Sequence, residues 1–443
     1  MEEASNQNIN NLPEELLLRI LTFLPTLDSI QTSLISQKWR PLWSRVPSLN
    51  LPFELFPSYE PPLDTRQFFA EFIDRVLILR SNSPIHTFRL SFIYHDHYGS
   101  HVDSWVRSAI THLHARELHL DFFIHKDFHD EETLNHKYDF PFSVLRNGYV
   151  ENLCVTRCDL TLPAKMSTMR FCSIGSMYLD QVYLTDHIMS DLILGCPNLE
   201  ALELQNCWGH HHLKICSTRL QKLVLGYFYD SELQETLVID CPNLFSISFD
   251  CCAFDKFVLK NASSLVEFHV DIVHLIDGSY CYWSKVVRLL GQATNVKHLN
   301  VQNWWFKLRT GFTQYDLVGM AALLKLCPNL ETMILQYLFK IGEDDRLSEE
   351  LLNKPVDLSM PSLKQVTMKA YTATEDELNF LKILIGQGVA LQKIVLARTQ
   401  VGEEGQIGER SLPLVVLYRE GSQGWKCSWA LYPATPRSID SEL

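Results

Sequence analysis

Residues 196 to 207 read CPNLEALELQNC, and the first four of them, Cys196 to Leu199, return at Cys241 to Leu244 and at Cys327 to Leu330. Recurring cysteines raise the question of a metal or redox site. Such a site needs two or more thiols brought together, commonly as C-x-x-C, whereas each copy here supplies one. The residues that follow decide the matter. After the first copy, Leu199, Leu202 and Leu204 are apolar and Cys207 takes the ninth place. The same frame, L-x-x-L-x-L-x-x-(apolar or Cys), follows at LFSISFDCC from Leu244 and at LETMILQYL from Leu330.

The frame also occurs without its prefix, from Leu220, Leu265, Val296, Leu363 and Leu391, and more loosely from Ile85, Ala115, Val150 and Ile174. About twelve copies at intervals of about 21 to 35 residues resemble the leucine-rich repeat, in which each unit is one strand plus a return segment. The alternation supplies the physical reason. Within x-L-x-L-x the leucines face one side of a strand and the intervening residues the other, so stacked strands make a parallel sheet with one buried face. One repeat cannot bury its apolar face alone, whereas a stack shares a continuous core and curves into a solenoid.

The N-terminal stretch has a different period. Residues 12 to 24, LPEELLLRILTFL, read as an amphipathic helix: Pro13 suits the first turn, Glu14 and Glu15 complement the positive helix end, and Pro25 stops the run. Leu16, Ile20 and Leu24 recur at four-residue spacing on one face. The next segment adds Leu27, Ile30, Leu34 and Ile35, then Trp39 and Trp43. A unit of about 40 residues is too small to cover all these apolar groups itself, so they pack either on a partner or on the rest of the chain.

In order and spacing, Leu12, Pro13, Glu15, Leu16, Leu17, Ile20, Leu21, Leu24, Pro25, Asp28, Ser33, Ser36, Trp39, Arg40, Leu42 and Trp43 resemble the F-box pattern. Leu27, where a polar residue is common, and Pro41, inside the last helix, depart from it. The resemblance implies a three-helix hook that binds the Skp-type adaptor of a cullin-RING ubiquitin ligase. It implies Leu12, Pro13, Leu16, Ile20, Leu24, Leu34, Trp39, Leu42 and Trp43 as adaptor-binding or supporting residues. Met360 to Leu396, a strand, a helix from about Asp376 to Ile385 and a second strand, resembles the FBD segment of plant F-box proteins with leucine-rich repeats.

Composition agrees with an ordered protein: 443 residues, 46% hydrophobic and 21% charged. The net charge of -13 and the lack of a Lys/Arg-rich block argue against nucleic acid as a partner. The start MEEASNQNINN lacks the basic and apolar regions of a secretory signal, and no stretch approaches the length of a membrane span. The expected location is the nucleus or cytoplasm, where twelve cysteines are buried thiols rather than disulfides.

Chemistry-bearing motifs are scarce. Phosphate-binding loops, the dinucleotide fingerprint, G-x-S-x-G and H-E-x-x-H are all missing from the sequence, so no catalytic residue and no cofactor are expected. Cys158, Cys207 and Cys252 fall at the ninth repeat position, which marks them as core thiols. The His210 to His212 and His95 to His97 clusters fall in predicted loops without a second ligand cluster, so no metal is expected.

The frame turns one residue of each strand outward before, between and after its two leucines, onto an expected concave face. There Glu203, Asp250, Glu267 and Asp271 offer complementary charge to a basic partner, or are merely solvated. The loop NWWFKLRTGF adds Trp305, Phe306, Lys307 and Arg309 as candidate substrate contacts, since aromatic and Arg residues dominate interface hot spots.

The expected fold class is α/β, a small three-helix F-box followed by a leucine-rich-repeat solenoid with a curved parallel sheet. The expected domains are the F-box at 8–50, a linker or first turn at 51–83, the solenoid at 84–400 with its FBD-like part at 355–400, a capping hairpin at 401–432 and a tail at 433–443. The expected function is substrate recognition for an SCF-type ubiquitin ligase. Its partners are the Skp-type adaptor, through it a cullin, and a protein substrate, with neither nucleic acid nor membrane. A repeat-based small-molecule receptor and a ligase-independent scaffold remain as alternatives.

Overall fold

The computed structural model describes residues 9–57, 62–80, 83–123, 136–162, 170–227, 236–250, 256–271, 291–302, 325–336, 361–369, 371, 375–388, 390–397, 413–419 and 425–431. The chain divides into two compact units, Met1–His210 and His211–Leu443.

After a 3-10 turn at Ile9–Asn11 the first unit continues with α1 (Glu14–Leu21) and α2 (Thr26–Gln31), then 3-10 turns at Thr32–Leu34 and Trp43–Arg45. Helix α1 is shorter than the predicted 12 to 24: Pro13 stands at its N-cap, Thr22 at its C-cap, and Pro25 disfavours helical geometry in the residue before it. A third α-helix does not form. Pro41 lacks the N–H that a helix interior requires, and Trp39 to Leu42 are held by turn hydrogen bonds, Trp39 N to Ser36 O and Leu42 N to Trp39 O, each 3.1 Å.

Strands β1 (Ser48–Pro52), β2 (Thr87–Ser91), β3 (Glu117–Asp121), β5 (Asn152–Thr156), β7 (Ser176–Asp180) and β8 (Ala201–Gln205) then pair in this order, all parallel and without stagger. The sheet begins with β1 at Ser48, across the expected join of the F-box and the linker or first turn at 51–83, and α3 (Pro62–Leu79) lies within that 51–83 segment. The leucines of β1 drive its placement: Leu49 and Leu51 are buried beside Phe88 and Leu90 of β2. Behind the first strands, Phe53, Phe69, Phe92 and Trp105 form an edge-to-face and stacked aromatic cluster, and Trp105 Nε1 donates to Asp74 of α3 at 2.6 Å.

In the second unit β10 (Lys222–Gly226), β12 (Ser246–Asp250), β14 (Glu267–Asp271), β15 (His298–Gln302), β16 (Thr332–Gln336), β17 (Gln365–Lys369) and β18 (Lys393–Ala397) are likewise parallel. They are followed by two antiparallel strands, β19 (Pro413–Tyr418) and β20 (Lys426–Leu431). A helix, Glu375–Gln387, crosses between β17 and β18. All twelve copies of the repeat frame, from the one at Ile85 to the one at Leu391, have a strand on the five residues that the frame marks, from β2 to β18. Burial alternates as period 2 demands: Leu118, Leu120, Met177, Leu179, Leu202 and Leu204 are buried, while their neighbours face the open side.

Short strands unmarked by the frame lie between the long series. Strands β9 (His212–Cys216), β11 (Thr236–Asp240) and β13 (Lys256–Lys260) make a separate parallel sheet, and β4 (Tyr138–Pro141) pairs with β6 (Cys158–Thr161). They correct part of one sequence expectation: of the histidines placed in a loop, His212 begins β9, whereas His210, which is buried, and His211 precede the strand. His95 follows β2 in a loop, where it accepts from His97 N at the start of a 3-10 turn, Asp96–Tyr98. Among the described residues no group of three or more His, Cys, Asp or Glu is arranged to hold a metal ion. Likewise, no described helix is long and apolar enough to cross a membrane.

The CPNL motif is a turn and a clasp. Cys196, Cys241 and Cys327 are buried, Leu199 N, Leu244 N and Leu330 N close the turn onto the cysteine carbonyls, and the asparagines reach back to the preceding repeat. Asn198 Nδ2 donates to Cys172 O at 2.8 Å, Asn243 Nδ2 to Thr218 O at 2.7 Å and Asn329 Nδ2 to Thr294 O at 3.3 Å. Asn295, in a copy without the cysteine, does the same to Ser263 O at 2.8 Å.

Candidate functional site

The N-terminal module sorts its apolar residues into a core and an uncovered face. Leu17, Leu21, Trp39, Leu42 and Val46 form one buried cluster, with Leu12, Leu18 and Leu24 packed partly against it. Trp39 is 2% exposed and Leu42 1%, and the indole Nε1 donates to Asn10 Oδ1 at 2.7 Å. Lys38 Nζ fastens the same N-terminal segment through Asn10 O and Leu12 O, both at 2.7 Å. On the other side Leu16, Ile20, Phe23, Leu34 and Ile35 meet solvent, Phe23 at 79% and Leu34 at 86%.

The predicted adaptor contacts therefore divide. Pro13, Leu16, Ile20 and Leu34 are exposed, Leu12, Leu24 and Trp43 are half-buried, and Trp39 and Leu42 belong to the module's own core. Phe23 and Ile35 were missed. Phe23 stands one turn beyond Ile20, and that spacing was the signal that pointed to it.

The module is fixed to the first strands. Thr26 is buried and its Oγ1 accepts from Asn50 N of β1 at 2.9 Å, while the buried Arg80 guanidinium, at the end of α3, donates to Val46 O. Burial lowers the Arg80 pKa to about 10, still far above neutrality, so it remains a cation.

On the open face of the first unit the middle row reads Asn50, Arg89, His119, Cys154, Tyr178, Glu203, and the end row reads Ser91, Asp121, Thr156, Asp180, Gln205. Charge runs from basic at Arg89 to acidic at Glu203. Burial, followed by the charges of Glu54 and Asp180, lifts the Asp121 carboxyl to about 6. Burial, then Asp121, Asp180 and Glu203, pushes the Cys154 thiol up to about 12. The same carboxylates, after burial, raise the Tyr178 hydroxyl. Asp121, Asp180 and Glu54 were not singled out from sequence. Glu54 lies outside the repeat frame and comes into range because Ser91 Oγ donates to it at 2.7 Å.

Of the residues that were singled out, Glu203 accepts from Gln205 Nε2 at 3.1 Å. In the second unit Asp250 accepts from Ser248 Oγ at 3.0 Å and lies 3.6 Å from His269 Nε2, Glu267 is exposed, and Asp271 closes β14. Trp305, Phe306, Lys307 and Arg309 lie outside the described residues, as does Cys252. Cys158 and Cys207 are buried core thiols.

Comparison with known proteins matches residues 76–411 to the family described as At1g61320/AtMIF1, LRR domain, and residues 9–52 to the F-box domain. The F-box/LRR-repeat protein At4g14096 of Arabidopsis thaliana is 27% identical over 383 residues, covering 78% of this chain and 76% of its own length. The putative F-box/LRR-repeat protein At3g44090 of the same plant is 27% identical over 409 residues, 87% of this chain and 83% of its own. The putative FBD-associated F-box protein At1g78730, also of Arabidopsis thaliana, is 28% identical over 280 residues, 60% of this chain and 56% of its own.

Proposed function

Since the chain belongs to the At1g61320/AtMIF1 leucine-rich-repeat family and carries an F-box domain ahead of the repeats, we propose that it is the substrate-recognition subunit of an SCF-type ubiquitin ligase. The F-box binds a Skp-type adaptor, and through it a cullin, while the open face of the repeats holds a protein for ubiquitination. The chain adds no reactive group; it raises the transfer rate by positioning. The observation that carries this reading is the apolar face of Leu16, Ile20, Phe23, Leu34 and Ile35, uncovered beside a module core that is already complete. Such a face is stabilised by a partner helix or groove and is a liability without one.

Within this reading the adaptor meets Leu16, Ile20 and Leu34 directly, and Trp39, Leu42, Leu12 and Leu24 hold that face in shape. The F-box is proposed to end near 50, residues 355–400 to form an FBD-like segment and β19 with β20 to cap the repeats. The nucleus or cytoplasm, where cullin-RING ligases act, is the corresponding location.

The test is reconstitution. The full chain is mixed with a purified Skp-type adaptor, then with cullin, RING subunit, ubiquitin and its carrier enzymes. A stable complex on gel filtration, lost in Leu34→Asp, and ubiquitin transfer that depends on the chain are the expected results. Absence of complex formation by the folded wild type would sink the reading. Retention of a protein partner by a chain that shows no adaptor binding would favour a ligase-independent scaffold.

A further inference from the structure

Just past the acidic row of the first unit, the turns that follow β7 and β8 expose two aromatic rings side by side. Tyr183 is 44% exposed and Trp208 37%, with ring centroids 6.3 Å apart. The rings are held in place. Tyr183 and Trp208 form a parallel bridge, Leu184 N donates to Trp208 O at 2.7 Å, and Val182, Leu184 and Cys207 on either side are buried. Gly209 follows at φ +95°, and a Cβ there would lie 2.2 Å from Tyr183 Cε2, so the backbone is pressed against the phenol ring where only glycine fits. Preorganised aromatic side chains of this kind give large contact area at low entropic cost, the property shared by interface hot spots.

The charges around the rings select what each part of the surface accepts. Lys137 Nζ sits 4.2 Å from the Trp208 ring centroid, so the cation-binding character of that ring is already engaged and a second cation there would be repelled. Three residues upstream the preference reverses. Asp180 and Gln205 end β7 and β8, with Asp121 farther along the same end row and Glu203 in the middle row beside it. Asn206 Nδ2 donates to Asp180 at 2.8 Å, a neutral contact that leaves its charge in place, and the enclosed Gln205 Oε1 accepts no hydrogen bond. Among the described residues no cation pairs with Asp121, Asp180 or Glu203, and such a row of acceptors calls for a donor-bearing, positively charged group. Three residues of extended chain span about 10 Å, so one short segment reaches both parts.

We propose that the open-face row and aromatic ledge of the first unit dock an extended protein segment that carries a lysine or arginine within about three residues of an aromatic or aliphatic anchor. The cation pairs with Asp121, Asp180 and Glu203, and the anchor rests on Tyr183 and Trp208. This rests on the substrate-recognition reading above and narrows it to a class of substrate segment. The Asp121 carboxyl, lifted first by burial and then by Glu54 and Asp180, fits such a pairing, since a cation would offset those two acidic neighbours.

The experiment uses the full chain bound to its adaptor and a positional-scanning library of fluorescein-labelled nonapeptides read by fluorescence polarisation. Selection of Lys or Arg next to an aromatic or aliphatic position is expected, with tightest binding at low ionic strength. Trp208→Ala is expected to lower affinity for selected peptides at least about tenfold, with Trp208→Phe restoring most of it. Asp180→Asn combined with Glu203→Gln, nearly isosteric changes, is expected to abolish the Lys/Arg selection while leaving the anchor selection. Selection of acidic peptides, no selection at all, or variants that bind as the wild type does would overturn the inference. If the adaptor still binds in those outcomes, only this inference fails. Loss of adaptor binding by the wild type would instead strike the F-box reading.

Discussion

Leu34→Ala and Trp39→Ala separate a surface residue from a core residue among positions that the sequence pattern groups together. Leu34 is 86% exposed in the free chain, so truncating it removes almost no internal contact and stability should stay within about 0.5 kcal/mol of the wild type. Buried on an adaptor, a leucine contributes about 1.5 to 3 kcal/mol, and at about 1.4 kcal/mol per tenfold its loss weakens the complex roughly thirtyfold. Trp39 behaves in the opposite way. It is 2% exposed at the centre of the Leu17, Leu21 and Leu42 cluster, and removing a buried Trp costs about 3 to 5 kcal/mol. The lost hydrogen bond to Asn10 adds about 1 kcal/mol. Hydrogen exchange of the α1 amides reports the stability of the module, and calorimetric titration with the adaptor reports affinity. Leu34→Ala should weaken binding with protection intact, and Trp39→Ala should lose both. Unchanged affinity in a folded Leu34→Ala, or unchanged protection in Trp39→Ala, refutes the division.

Three further outcomes are expected. Burial pushes the thiols of Cys196, Cys241 and Cys327 up to about 12, 11 and 11, so iodoacetamide at pH 8 should label the exposed Cys172 and Cys216 and spare these three, as peptide mass spectrometry would show. An acid lifted to about 6 binds its proton more tightly folded than unfolded, so ionised Asp121 disfavours the fold above about pH 6 and the penalty fades as pH falls toward its unfolded value. Asp121→Asn should thus stabilise by about 1 kcal/mol at pH 7.5, after solvent screening, and by little at pH 4.5, which thermal melts at the two pH values would test. Asn243→Ala removes the clasp to Thr218 O and should cost about 1 kcal/mol in urea unfolding, with Asn198→Ala similar through Cys172 O.

The repeat was legible because strand periodicity is local. Leu202 and Leu204 turn inward whatever surrounds them, once Ala201 to Gln205 is extended, and parallel stacking repeats that choice from copy to copy. Positions that depend on distant neighbours were not legible. His212 stands in a polar run that reads as loop, yet β11 supplies the backbone partner that makes it a strand. Glu54 has no place in the frame, and only the turn after β1 brings it toward Asp121. Lys137 and Trp208 are far apart in sequence and carry no shared motif, so the ledge they form had no sequence signal.

By itself, then, the sequence determined an α/β chain of stacked strands behind a small helical module, together with the rows that face outward. Both follow from spacing along the chain, where period 2 and period 3.6 assign each apolar side chain a direction. Tertiary structure alone decided which apolar residues of the N-terminal module are interior and which are surface. Leu16, Leu17, Ile20 and Leu21 are equally apolar, but Trp39 and Leu42, returning from later in the chain, cover only Leu17 and Leu21. The face left over is the one available for binding, because burial depends on what arrives from elsewhere and not on the residue alone.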